Sequence, residues 1–181
     1  MRKVSTEKII SPAKFAHVVL RTRKLDEAVA WYAEVLGTRT VFQNEFVAFL
    51  TYDEEHHRIA LIATAQAEGS PAQAAGLDHF AYGFDDFGDL MSSYKRLRDA
   101  GIKPVWTINH GPTTSIYYED PDGTRLEFQV DNFATEAELK GWMDGPSFAA
   151  NPIGVEFDAE KLLARYEAGD PLKELMAQGS A

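Results

Sequence analysis

The feature that most restricts the fold is an internal repeat. His17 and Tyr32 stand fifteen residues apart, and so do His79 and Tyr94. The same order of patterns surrounds each pair. Phe15-Ala-His17-Val-Val-Leu alternates as a strand does. Leu25, Ala28, Val29, Tyr32 and Leu36 then recur at helical spacing, with Gly37 in the C-cap position. Strand-like runs follow at 38–42, 46–52 and 58–63. The pattern restarts with Leu77-Asp78-His79-Phe80-Ala81-Tyr82 as a strand. Phe87 to Ala100 then reads as a helix with Phe87, Leu90, Met91, Tyr94 and Leu97 on one side and Gly101 as its stop. A two-residue slip appears before Gly37 and Gly101. Runs at 103–108, 114–118 and 125–130 complete the second copy, the last two joined by the turn Asp120-Pro121-Asp122-Gly123.

Each half therefore predicts β-α-β-β-β, and the chain an α+β fold. The expected parts are a first module at 13–64, a second at 76–131 and a C-terminal helical tail at 132–181. Residues 65–75, rich in Ala, Gln, Gly and Ser, read as a linker or as a flap over a site. The paired modules are expected to form one curved mixed sheet around a metal site. In the tail, Thr135-Glu136-Ala137-Glu138 has the form of a capping box. Asp158 is placed to N-cap a helix over 159–167, and Gly169 to end it. Trp142, Phe148 and Phe157 give this tail apolar surface to bury.

Composition narrows the chemistry. The chain has no cysteine, so disulfides, thiolate metal sites and cysteine nucleophiles are excluded. Any metal must be held by His, Asp or Glu. A net charge of −10 and the lack of a basic stripe argue against nucleic acid. No apolar run approaches the roughly 20 residues a membrane helix needs. The N-terminus lacks the apolar stretch of a signal peptide. A cytoplasmic enzyme, with no membrane partner, is the expectation.

Three residues stand out for metal chemistry. His17 and His79 occupy equivalent first strands, and Glu127 lies in the last strand, between the apolar Leu126 and Phe128. Two imidazoles and a carboxylate form a facial triad, which leaves coordination positions open as non-haem Fe(II) oxygen chemistry requires. Taken one at a time, each has an ordinary reading: a polar strand residue, solvated or locally satisfied. Repeat equivalence of the two histidines favours the ligand reading.

The pattern resembles the vicinal oxygen chelate (glyoxalase/bleomycin resistance/dioxygenase) superfamily. Within it, the chain is similar to the one-domain type I extradiol ring-cleavage dioxygenases of the biphenyl-2,3-diol kind. The most specific stretch runs from Asn109-His110-Gly111-Pro112 through Tyr117 to Asp122-Gly123, followed by Glu127. Tyr117 precedes Glu127 by ten residues, the separation that this resemblance expects between an active-site Tyr and the carboxylate ligand. The resemblance implies His17, His79 and Glu127 as ligands to Fe(II), with Mn(II) as the alternative ion. It implies His57 as an acid–base residue, with His56 competing for that role. Tyr117 would hydrogen-bond a substrate oxygen, and His110 would contact the ring hydroxyl. The bland alternatives are a core aromatic for Tyr117 and a turn cap for His110 at Gly111-Pro112.

The implied reaction inserts both atoms of O2 into a catechol such as 2,3-dihydroxybiphenyl, opening the bond beside the two hydroxylated carbons. A homo-oligomer is the expected assembly. Two other functions compete. A lyase or isomerase on the same fold would generally take a carboxylate or amide from the last strand of the first half. His57-Arg58-Ile59-Ala60-Leu61-Ile62 offers neither. A metal-free binding or resistance protein would have no need of four of the five histidines in one site.

Overall fold

The computed structural model describes residues 15, 17–55, 57–64, 79–151 and 153–181. The expected linker at 65–75 and the competing His56 lie outside them. The chain forms two compact units, 1–66 and 67–181.

The first unit contains β1 (Val18–Thr22), α1 (Leu25–Leu36), β2 (Arg39–Gln43), β3 (Val47–Thr51) and β4 (Ile59–Ala63). Its sheet has the order β1-β4-β3-β2, with β1 parallel to β4 and the other pairs antiparallel. Helix α1 matches the predicted span. Ala28, Tyr32 and Val35 recur on one face and are buried, and Gly37 at φ +65° ends the helix. That left-handed conformation is easy only for a residue without Cβ. Leu50, Ile59 and Leu61 are buried on one side of the sheet, as alternation requires. His17 lies one residue before β1, so both repeat histidines sit at strand starts rather than mid-strand. Hydrogen bonding sets this limit: the ladder to β4 opens with Val18 N–H donating to the Arg58 carbonyl at 2.9 Å.

The second unit contains β5 (His79–Gly83), α2 (Phe87–Asp99), β6 (Trp106–Asn109), β7 (Thr113–Glu119) and β8 (Arg125–Asp131). The tail follows with α3 (Glu136–Met143), α4 (Pro146–Ala150), β9 (Val155–Glu156), α5 (Ala159–Glu167) and α6 (Leu172–Leu175). The sheet order is β5-β8-β7-β6-β9, again with one parallel pair, β5 with β8. Each module thus closes a mixed sheet of its own. Helix α2 starts where Asp86 accepts from Asp89 N–H at 2.8 Å, a cap of about 1 kcal/mol. Asp89 in its first turn and Arg96 and Arg98 in its last match the helix dipole. Phe87, Leu90, Met91, Tyr94 and Leu97 are all buried. Each contributes roughly 1.5–3 kcal/mol of apolar burial.

The tail is part of this unit's packing. The Thr135 capping box and the Asp158 N-cap form as the sequence predicts. Leu162, Leu163 and Leu175 are buried, and Tyr94 Oη donates to Glu160 at 2.8 Å, joining α2 to α5. Strand β9 carries no such sequence signal. It extends the sheet because β6 has an unpaired edge: Ile108 pairs with Glu156 and Asn109 with Val155.

Candidate active site

Strand register explains how distant residues meet in the second unit. Tyr117 on β7 faces Glu127 on β8, and Trp106 on β6 faces Tyr117. Ala81 on β5 lies beside Glu127, so His79, two residues earlier, projects from the same side. His79, Glu127, Tyr117 and Trp106 therefore form one row across four strands. The distances agree. His79 Nε2 lies 2.9 Å from Glu127 Oε2. The rings of His79 and Tyr117 meet edge to face at 5.4 Å, and those of Tyr117 and Trp106 lie 4.9 Å apart.

Glu127 is only 5% exposed. A carboxylate so buried needs donors or a metal ion. Two imidazoles lie near it, His79 Nε2 at 2.9 Å and His110 Nε2 at 4.0 Å. Neither carries a fixed positive charge. An imidazole nitrogen and a carboxylate oxygen converging in this way suit a divalent cation. Among the described residues, however, no set of three His, Asp or Glu side chains gathers closely enough to hold one.

His110 follows β6, and its ring is not the cap of the Gly111 turn. Asn109 performs that task, accepting from Gly111 N–H at 2.8 Å. His110 Nε2 instead lies 3.0 Å from Tyr117 Oη, and Nδ1 is hydrogen-bonded to the Ile153 carbonyl. Tyr117 is 3% exposed, so its ring is a sheet aromatic as well as a hydroxyl donor. The turn itself is tightly built. Asn109 Nδ2 donates to the Met176 carbonyl at 2.8 Å, and Asn132 Nδ2 donates to the Gly111 carbonyl at 2.8 Å. Gly111 has φ +97°, and a Cβ there would sit 1.9 Å from the Trp142 ring.

In the first unit, the rings of His17 and His57 lie 4.4 Å apart, and His57 stacks on Phe49 at 4.8 Å. The structure thus brings these two predicted residues together. His57 precedes β4, so strand alternation does not govern its direction. Arg58 donates through Nε to Asp53 at 2.9 Å and through Nη1 to the Phe15 carbonyl at 2.7 Å. One guanidinium therefore links the segment before His17 to the segment carrying His57. The Arg58 guanidinium and Glu55 N–H hold the Asp53 carboxyl below the usual carboxylate range. Asp53 and Asn109 are among the residues whose contacts the sequence does not announce. An Asp five residues before an Arg and an Asn before His-Gly-Pro are their only marks in the chain.

A family model described as the Glyoxalase/Bleomycin resistance protein/Dioxygenase superfamily matches residues 14–128. The chain belongs to this superfamily. Among curated relatives, Biphenyl-2,3-diol 1,2-dioxygenase 2 of Rhodococcus globerulus is 44% identical, over 90% of this chain and 86% of its own length. Biphenyl-2,3-diol 1,2-dioxygenase 3 of the same organism is 43% identical, over 93% of this chain and 90% of its own. Such alignments take in most of the tail. Similar solved structures include a lactoylglutathione lyase from Agrobacterium tumefaciens, with TM-score 0.53 and 22% identity, covering 66% of this chain and 94% of that one. A superfamily domain from Frankia sp. EAN1pec has TM-score 0.55 and 24% identity, covering 67% of this chain and 99% of that one. These structures share the fold. Among the described residues, no helix is long and apolar enough to cross a membrane.

Proposed function

We propose that this member of the superfamily is an extradiol ring-cleavage dioxygenase, dependent on non-haem Fe(II), acting on a catechol such as 2,3-dihydroxybiphenyl. The observation that carries the reading is the 43–44% identity to two biphenyl-2,3-diol dioxygenases along nine-tenths of the chain, tail included. The row of His79, Glu127 and Tyr117 with His110 beside it agrees.

In this reading His79 and Glu127 hold the metal, and His17 is its third ligand. Bound Fe(II) supplies one-electron chemistry with O2 that side chains lack. Tyr117 Oη, whose proton is directed at His110 Nε2, accepts a hydrogen bond from a hydroxyl of the bound diol. His57, beside His17, takes a proton from a diol hydroxyl and returns it later; an imidazole titrates in the right range for both. Trp106, beside Tyr117, offers a flat apolar surface to an aromatic ring. A cytoplasmic homo-oligomer completes the proposal.

The test is anaerobic reconstitution with Fe(II), addition of 2,3-dihydroxybiphenyl, and admission of air. A yellow ring-fission product should appear with matching oxygen uptake. No uptake across a broad catechol panel would sink the reading. His17→Ala, His79→Ala and Glu127→Ala should lose metal, whereas His57→Ala should keep metal and lose turnover.

A further inference from the structure

The C-terminal tail contributes directly to the surroundings of His110, and the contact is chemically one-sided. A backbone carbonyl accepts hydrogen bonds and cannot donate them. His110 Nδ1 is bonded to the Ile153 carbonyl, so Nδ1 must carry the proton. In a neutral imidazole Nε2 is then the acceptor, and the Tyr117 hydroxyl, 3.0 Å away, is its donor. The tail therefore keeps a proton on Nδ1, and in the neutral ring this makes Tyr117 the donor; Glu127 Oε1 lies 4.0 Å from the same Nε2.

The Ile153 carbonyl is itself held firmly. Asn151 Oδ1 accepts from Ile153 N–H at 3.2 Å and from Gly154 N–H at 3.1 Å. Asn151 Nδ2 donates to the Gly154 carbonyl at 2.6 Å. Gly154, at φ +120°, runs so close to the loop that a Cβ would lie 2.3 Å from the Asn109 carbonyl oxygen and 2.7 Å from His110 Cα. Beyond it, β9 pairs with β6, and Glu156 accepts from Trp106 Nε1 at 2.7 Å. One tail segment thus orients two walls of the row.

We propose that the Ile153 carbonyl, held by Asn151, is a positioning group that fixes His110 as the Nδ1–H tautomer, so that Nε2 faces Tyr117 as an acceptor. This role builds on the dioxygenase reading, in which His110 and Tyr117 face the substrate. Without the tail, the ring would be free to flip or to exchange its proton between nitrogens, and Tyr117 would lose a defined partner.

Two measurements test it. The first is the tautomer of His110 by long-range 1H–15N correlation on the metal-stripped full chain, assigned with His110→Gln. It requires no turnover. The unsubstituted chain should show the Nδ1–H form; a dominant Nε2–H form would overturn the proposal. Asn151→Ala, which removes both the acceptor and the donor of this side chain, should give a mixture of tautomers. An Asn151→Ala spectrum identical to that of the unsubstituted chain would also overturn it. The second measurement is a double-mutant cycle on turnover. Asn151→Ala should lower kcat about 10-fold through a misplaced ring, with KM little changed. In the His110→Gln background it should add nothing; a further loss of the same size would show that the tail acts elsewhere. Absence of ring cleavage by the unsubstituted chain would remove the dioxygenase reading, and the tautomer spectra would then decide the positioning role alone.

Discussion

Replacing Glu127 with Gln separates a metal ligand from a structural ion pair. The side chain is 5% exposed and 2.9 Å from His79 Nε2, and Gln fills the same space with one hydrogen-bonding oxygen retained. Gln keeps an acceptor oxygen for His79 and leaves no fixed charge unpaired, so the metal-free variant should keep its stability to within about 1 kcal/mol. The effect should appear when metal is added. At a concentration of about 100 times Kd, metal binding stabilises the native chain by about 2.7 kcal/mol. In a chain of 181 residues, each kcal/mol moves Tm by roughly 2–4 °C, which predicts a rise of about 5–11 °C. Losing the anionic ligand by an affinity factor of about 100 brings the same concentration near Kd and leaves about 0.4 kcal/mol, a shift of roughly 1–2 °C. Anaerobic differential scanning fluorimetry with and without Fe(II) or Mn(II) reads both quantities. A metal-induced shift of equal size in the two proteins would refute the ligand role. A large loss of stability in the metal-free variant would instead mark Glu127 as a structural partner of His79.

Three further outcomes follow from other residues. Tyr117→Phe removes the hydroxyl 3.0 Å from His110 Nε2; because His110 is partly exposed, stability should fall by only about 1 kcal/mol while turnover falls by about 10- to 100-fold, measured by melting and by oxygen uptake. Tyr118, one residue on, points the other way: its hydroxyl is fully buried, meets no partner among the described residues, and burial raises its pKa, so Tyr118→Phe should stabilise the chain by about 1 kcal/mol in denaturant titrations and leave turnover intact. For Asp53, whose pKa is depressed by Arg58, the stabilisation is present above the unfolded value of about 3.9 and is lost as pH falls through the lower folded value; the Tm gap between the native chain and Asp53→Asn should therefore narrow below about pH 4.

Much of this was legible in the chain because the two periodicities are local. Helix α1 falls on its predicted span, and α2 ends one residue short of it. Strand starts were less readable. The run at 103–108 begins pairing late, as Pro104 brings no N–H to the ladder and the strand opens at Trp106. The pairing of Tyr117 with Glu127 followed from the turn at Asp120–Gly123, and the hairpin places them opposite each other. By contrast, nothing in Asn151 or Ile153 announces a contact with His110. It is made by a backbone carbonyl, which every residue possesses, and brought there by a two-residue strand that exists only because β6 offers an edge. The link from Arg58 to the Phe15 carbonyl was equally hidden, because it too ends on a backbone carbonyl.

The row across β5, β8, β7 and β6 makes turn length a gauge of function. Tyr117 and Glu127 share a face because their positions are symmetric about the turn at 120–124. Lengthening that turn by one residue without a compensating bulge would carry Glu127 to the side where α2 packs, and bring Leu126 or Phe128 into the row. Lengthening it by two would shift the carboxylate along the strand yet keep its face. Variation in this hairpin should therefore come in even steps, or be accompanied by a bulge that restores the count, however freely the surface residues around it change.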